Sequence, residues 1–224
     1  MNFILEAIII SNLTLAMLFD LYSQFIRANI SIKGTSQLIG KSNWVQYQAR
    51  ILTMLSMVLL TYCYEKNIID FNVNNLLSIA FFVSSIFGLL YAKNRFAFNG
   101  LNYLLDVPTY FTFKKLYNQK YSIKIGLKID NIFISALFVN VTINCAIVIP
   151  FILAEKYPEI RMTSVYIGQL LNFLGSIINF NLIEPAFYRA LDGKSEQIIA
   201  SQIIYSKILS NTLVATVILL ALWQ

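Results

Sequence analysis

Residues 168–181 read GQLLNFLGSIINFN. Two glycines and the amides Gln169, Asn172, Asn179 and Asn181 interrupt a run of leucine, isoleucine and phenylalanine long enough to cross a bilayer. On a helix, Gln169, Asn172, Ser176 and Asn179 follow i, i+3, i+7, i+10 and share one stripe, with Gly168 and Gly175 running beside them. Glycine lets a neighbouring helix approach closely, and amides hydrogen-bond across such a contact. Two readings follow: a packed helix pair glued by amides, or a hydrated groove for a polar headgroup. Amides sustained over three turns favour the groove, because one or two suffice as glue.

The surrounding chain sets the solvent. Of 224 residues, 58% are hydrophobic and 12% charged, about half the charged share of a soluble domain. There is too little polar surface for water, so the chain reads as an all-α, polytopic integral membrane protein forming a single transmembrane domain over 1–224. Apolar runs near the ~20 residues that cross the hydrocarbon core predict six spans, at about 3–26, 46–64, 73–92, 132–154, 162–183 and 203–222. The first run lacks a basic flank and is too long for a signal-peptide core, so it is read as a true span. The alternation of a β-barrel is absent, which leaves helices to satisfy the backbone.

Of the 17 Lys and Arg, all but Lys66, Lys156 and Arg161 fall at one membrane side. The positive-inside rule predicts that side to be cytoplasmic and both termini to lie outside. The basic side should attract anionic membrane lipids, and lipid is a simpler partner there than nucleic acid. The longest connection, 93–131, interleaves aromatics with basic residues including Lys114, Lys115, Lys120 and Lys124. It is expected to form an amphipathic cytoplasmic segment in the interface. A vestibule for an anionic lipid and a plain topology signal are equally good readings of it.

Several chemistries drop out. There is no histidine, which removes common zinc-hydrolase and Ser–His arrangements. Cys63 and Cys145 are far apart and read as small buried residues or a pair. GTSQLIGKS at 34–42 imitates a phosphate loop but has five residues between Gly34 and Gly40 where the motif has four, and no strand precedes it. No nucleotide site, metal or other cofactor is expected. Asp106, Asp130, Glu184 and Asp192 share the cytoplasmic side but at no metal-site spacing, so an enzyme is the weaker reading.

Other spans carry polar groups that must face protein or water. Helix 1 places Glu6, Asp20, Gln24 and Arg27 within about 60° of one another. Asp20, inside the span, is expected to pair with Arg50 or Lys207; Glu6 is expected to snorkel to water. Asn140 and Asn144 are four apart in the fourth span, as are Lys207 and Asn211 in the sixth.

The stretch 153–217 resembles the Amj family of lipid II flippases, the alternate to MurJ. The matching pieces are PEIRMTS with Pro158, Arg161 and Thr163; IGQLLNFLGSII with Gly168 and Asn172; EP at Glu184 and Pro185; DGKS at 192–195; and IIYSKILSNTL opening the last helix. DLYSQFIRA at 20–28 is a weaker echo of the family's first helix. The resemblance covers about a third of the chain. It implies a multi-pass protein of the bacterial inner membrane, not an enzyme. Such a protein moves lipid II, a polyprenyl-pyrophosphate lipid, from the cytoplasmic to the outer leaflet. Transport of another polyprenyl-linked oligosaccharide and a non-transporting scaffold are the alternatives. The candidate substrate-binding residues are Asp20, Arg27, Arg50, Asn140, Asn144, Arg161, Gln169, Asn172, Asn179, Glu184, Lys207 and Asn211. Cations would meet the pyrophosphate, and amides would replace water on the sugars.

Overall fold

A computed structural model describes residues 2–30, 37–66, 73–93, 105–110, 112–113 and 128–222. The long elements, all helical, are α1 (Asn2–Arg27), α2 (Gln37–Glu65), α3 (Val73–Lys93), α4 (Asn131–Lys156), α5 (Arg161–Ile178), α6 (Glu184–Asp192) and α7 (Glu196–Leu222). A π-helical turn, Asn179–Ile183, joins α5 to α6, and short 3-10 turns occur at Val107–Thr109 and Pro158–Ile160. The chain is a polytopic helical membrane protein. Five stretches, Ile4–Arg27, Val73–Ala92, Asn131–Lys156, Thr163–Asp192 and Glu196–Leu220, are long and apolar enough to span a bilayer. The expected span at 46–64 lies within α2, which is 29 residues long and is not one of these five stretches.

Two helices exceed their expected bounds for traceable reasons. α2 starts nine residues earlier, at Gln37, because Lys41 and Ser42 find partners inside the bundle instead of ending the helix. The fifth span continues past 183 to Asp192, since Pro185 stands in the first turn of α6, where its missing N–H is least costly.

α7 packs against α1, α3, α4 and α6. It can do so because one side after another is small: Ala200, Ser201, Ser206, Ser210 and Ala215 are fully buried. Lipid offers no hydrophobic drive for helix association, so close van der Waals packing of small residues takes its place. α1 lies between α2, α3 and α7. At the basic end of the bundle Phe19, Phe25, Leu38, Leu105, Phe187 and Ile204 form one core cluster. Ile9, Leu13, Leu60, Leu77, Phe81 and Ile218 form another toward the opposite end.

α5 is different: α4 is the long helix it packs on, and its span is the least covered of the five, 22% of its most apolar window being buried. A Cβ on Gly168 would stand 2.6 Å from Pro150 Cγ and 2.8 Å from the Ala146 carbonyl oxygen. That approach, not backbone freedom, is why glycine is needed there.

Candidate functional site: charge pairs and a polar stripe

Among the described residues three ion pairs lie inside the bundle, each joining separate elements. Arg27, in the last turn of α1, donates from Nη1 to Glu184 Oε1 of α6 at 2.6 Å. Its Nε donates to Ser42 Oγ at 3.0 Å and its Nη2 to Asn43 Oδ1 at 3.1 Å. The guanidinium stands 5.5 Å from the Phe187 ring centroid. A planar fork with several donors suits such a buried position.

Lys41 of α2 pairs with Asp106 at 2.6 Å, both side chains fully buried. Tyr22 Oη donates to the same carboxylate at 2.8 Å. Asp106 opens the 3-10 turn at Val107–Thr109. Leu105, Asp106 and Thr109 are all buried, so this part of the expected amphipathic segment is tucked into the bundle and does not lie flat on its surface. The expected cations at Lys114, Lys115, Lys120 and Lys124 lie outside the described residues.

Asp20 of α1 pairs with Lys207 of α7. This selects Lys207 over Arg50, which is exposed on α2. The Asp20 side chain is 36% exposed and that of Lys207 13%, so the carboxylate is the more open member. Glu6, expected to reach water, is instead buried at 8% exposure, because the face of α1 that carries it is turned into the bundle.

The asparagines expected to line a binding groove in the fourth and sixth spans do something else. Asn140 Nδ2 donates to Ser206 Oγ at 2.9 Å, and Asn144 Nδ2 donates to Ser210 Oγ and Asn211 Oδ1, both at 2.8 Å. Asn211 Nδ2 donates in turn to Ser84 Oγ at 3.0 Å. The offset of 66 residues repeats from one Asn–Ser contact to the next, as it must for parallel helices paired in register. These buried amides knit α4, α7 and α3 together, so the expectation that Asn140, Asn144 and Asn211 contact a headgroup is corrected: they are already engaged inside the protein.

At the start of α4, Asp130 caps the helix by accepting from Ile132 and Phe133 N–H at 3.0 and 3.1 Å. Gln202 Nε2 donates to its other oxygen at 2.7 Å. Burial pushes the Asp130 carboxyl up. The Phe133 amide, the Gln202 side chain, the Ile132 amide and the Lys128 charge outweigh it and hold the group below the usual carboxylate range.

The opening stripe takes a third form. Gly168 and Gly175 are buried against α4, while Gln169 and Asn172 are exposed and Ser176 and Asn179 half-buried. Glue between α5 and α4 is therefore supplied by glycine, and the amides stand on the flank beside that seam.

The π turn decides what this flank joins. In an α-helix each residue advances about 100°, so a π bulge, equivalent to one extra residue, shifts the following face by about that angle. Without it Ile183, Phe187 and Ala190 would stand about 100° away from Ser164, Gly168 and Gly175. With it, all six residues fall on one buried face, and all six are buried. The same correction brings Glu184 into line with Gln169, Asn172, Ser176 and Asn179. Glu184 touches Arg27 of α1. Glu184 thus continues the line of the amide stripe, which ends at an ion pair with α1.

Sequence reasoning brought Arg27 and Glu184, and Asp20 and Lys207, into one candidate set, and the fold pairs them. It missed Lys41, Asp106 and Tyr22. The available signal was a lysine and an aspartate at the predicted basic side, but nothing in their spacing joins positions so distant in the chain. Arg161 begins α5, away from Arg27 and Glu184 along the chain. The cysteines are free thiols. Among the described residues no three His, Cys, Asp or Glu gather in a way that could hold a metal ion. Comparison with family models, with curated proteins and with solved structures gives no match.

Proposed function

We propose that this chain is a translocase of the bacterial inner membrane that moves lipid II from the cytoplasmic to the outer leaflet. The carrying observation is the continuity of the polar stripe. Gln169, Asn172, Ser176 and Asn179 run along the least covered span, and the π turn sets them in line with the Arg27–Glu184 pair at the basic end. Amides held against lipid gain nothing. On a flank that α4 leaves open they can replace water on a sugar–peptide head while the polyprenyl tail stays in lipid. The basic end would meet the pyrophosphate. The resemblance of 153–217 to the Amj family names lipid II as the substrate, and it covers this stripe.

The test is transport by the purified full chain in proteoliposomes carrying labelled lipid II, together with rescue of a bacterium depleted of its resident flippase. Movement of unaltered lipid and rescued growth support the reading. Altered lipid would make the chain an enzyme. Neither movement nor alteration would leave the scaffold reading, which the hydrogen-bonded set of Asn140, Asn144 and Asn211 favours. Movement of a different polyprenyl-linked oligosaccharide would keep the mechanism and change the substrate.

A further inference from the structure

Two buried side-chain oxygens on α1, Thr14 Oγ1 and Gln24 Oε1, find no hydrogen-bond partner among the described residues, and the second stands beside an ion pair. Gln24 is 4% exposed. Its Nε2 makes a long contact of 3.4 Å to Ser23 Oγ, and its Oε1 finds no donor among the described residues. Buried amides are rarely left so. Gln24 stands one helical turn from Asp20 and on the same face, the spacing at which side chains on a helix meet. Arg27 follows on that face, and each of its three nitrogens is engaged, by Ser42, Glu184 and Asn43.

A carboxylate has nothing to donate to Gln24, but a carboxylic acid does. We propose that Asp20 is a proton-binding site with two built partners: Lys207 for the charged form, and Gln24 Oε1 for the protonated form. The step balances simply. A proton from water adds to an Asp20 carboxylate oxygen, the resulting O–H donates to Gln24 Oε1, and the ion pair with Lys207 is broken. No other bond forms or breaks. The site goes from neutral to one net positive charge, carried by an ammonium now free to meet an anion. Asp20 is the more open member of the pair.

The ionisable groups on α1 and on the helices packed against it have these partners. α7 offers Lys207; Tyr205 lies about 160° from it around that helix. α1 itself offers Arg27, held by Glu184 of α6. α2 offers Lys41, held by Asp106. α3 offers Tyr91, which packs its ring on Tyr22 and Phe25. Lys207 is thus the cation that pairs with Asp20.

The second consequence rests on the transport reading. If an anionic pyrophosphate meets the Lys207 ammonium, proton binding and pyrophosphate binding must favour each other, by reciprocity of linked equilibria.

Two measurements test this on the full chain in lipid. The first needs no substrate. Infrared difference spectra recorded between high and low pH should contain a protonated-carboxyl band that Asp20→Asn removes and that Gln24→Leu shifts, because the O–H has lost its acceptor. No Asp20-dependent band, or one indifferent to Gln24→Leu, overturns the proposal. The second uses farnesyl pyrophosphate as the probe. Its affinity should rise as pH falls, by up to about tenfold per unit if one proton is taken up with each anion. Asp20→Asn should bind tightly with no pH dependence, and Asp20→Glu should restore the dependence. Binding that is pH-independent in the unsubstituted chain overturns the coupling while leaving the transport reading intact. If no binding occurs at any pH but the infrared band behaves as expected, the transport reading fails and the proton site stands.

Discussion

Lys41 and Asp106 are joined at 2.6 Å with neither side chain exposed. They bind α2 to a turn 65 residues further along the chain, and Tyr22 of α1 donates to the same carboxylate. Removing one partner leaves a buried charge, which costs about 3–5 kcal/mol. Asp106→Ala and Lys41→Met should therefore each lower unfolding stability in detergent by about that amount. The double change Lys41→Met with Asp106→Leu should recover most of the loss, since an apolar pair can replace a buried ion pair at little net cost. A double variant as unstable as the two single losses summed would mean that the charges do more than pair.

The α4–α5 seam should be intolerant at one glycine and lenient at the other. At Gly168 an added methyl meets the backbone oxygen of Ala146 and the Pro150 ring, at 2.8 and 2.6 Å. Neither yields easily, so Gly168→Ala should cost about 1–3 kcal/mol, the usual range for overpacking. At Gly175 the nearest atom is Ile143 Cγ1 at 2.9 Å, a side chain that can turn aside. Gly175→Ala should cost clearly less. Equal losses in chemical denaturation would contradict the seam described here.

Two sets of asparagines should respond in opposite ways. A double-mutant cycle between Asn144→Ala and Ser210→Ala should return a coupling of about 0.6 kcal/mol, the average for interhelical hydrogen bonds in membranes. Asn172→Leu, on the exposed flank, should leave stability within about ±0.5 kcal/mol, as surface changes usually do, while lipid transport falls. A stability loss at Asn172 with normal transport would return the stripe to the role of glue.

The cap of α4 supplies a pH dependence. The Asp130 carboxyl is held below its ordinary value, so the folded state favours the charged form. Its contribution is complete above the unfolded value of about 3.9 and is lost as pH falls through the lower folded value. The stability difference between the unsubstituted chain and Asp130→Ala should be constant from neutral pH to about pH 5 and shrink in more acidic solution. A difference that grows on acidification would reverse the sign and remove the cap from the account.

How much of this was legible varies with the range of the interaction. The spans could be read because bilayer crossing is a local requirement: about 20 apolar residues in a row, whatever they later touch. The stripe on α5 was legible for the same reason, since residues three and four apart share a face on any helix. Its neighbour was not. The periodicity that placed Gln169 and Asn172 on one side runs in step only as far as Ile178, and the π turn that follows adds a residue's worth of rotation. From spacing alone Glu184 falls out of line with the amides, and only the folded helix restores it.

The sequence by itself determined that the chain is helical, lives in a membrane, has most of its cations in the connections expected on one side and presents amides along one flank of the fifth span. Tertiary structure decided which polar groups meet. Asp20 could have taken Arg50 or Lys207, and α1–α7 packing chose Lys207. Asn140 and Asn144 could have lined a groove, and the parallel register of α4 and α7 turned them onto Ser206 and Ser210. Lys41 and Asp106 carried no local mark of each other at all. The physical reason is the same each time. A polar group inside a bilayer must find a partner, which one sequence can announce, but the choice among partners depends on which helix faces are brought within about 3 Å, and that distance is set by the packing of the whole bundle.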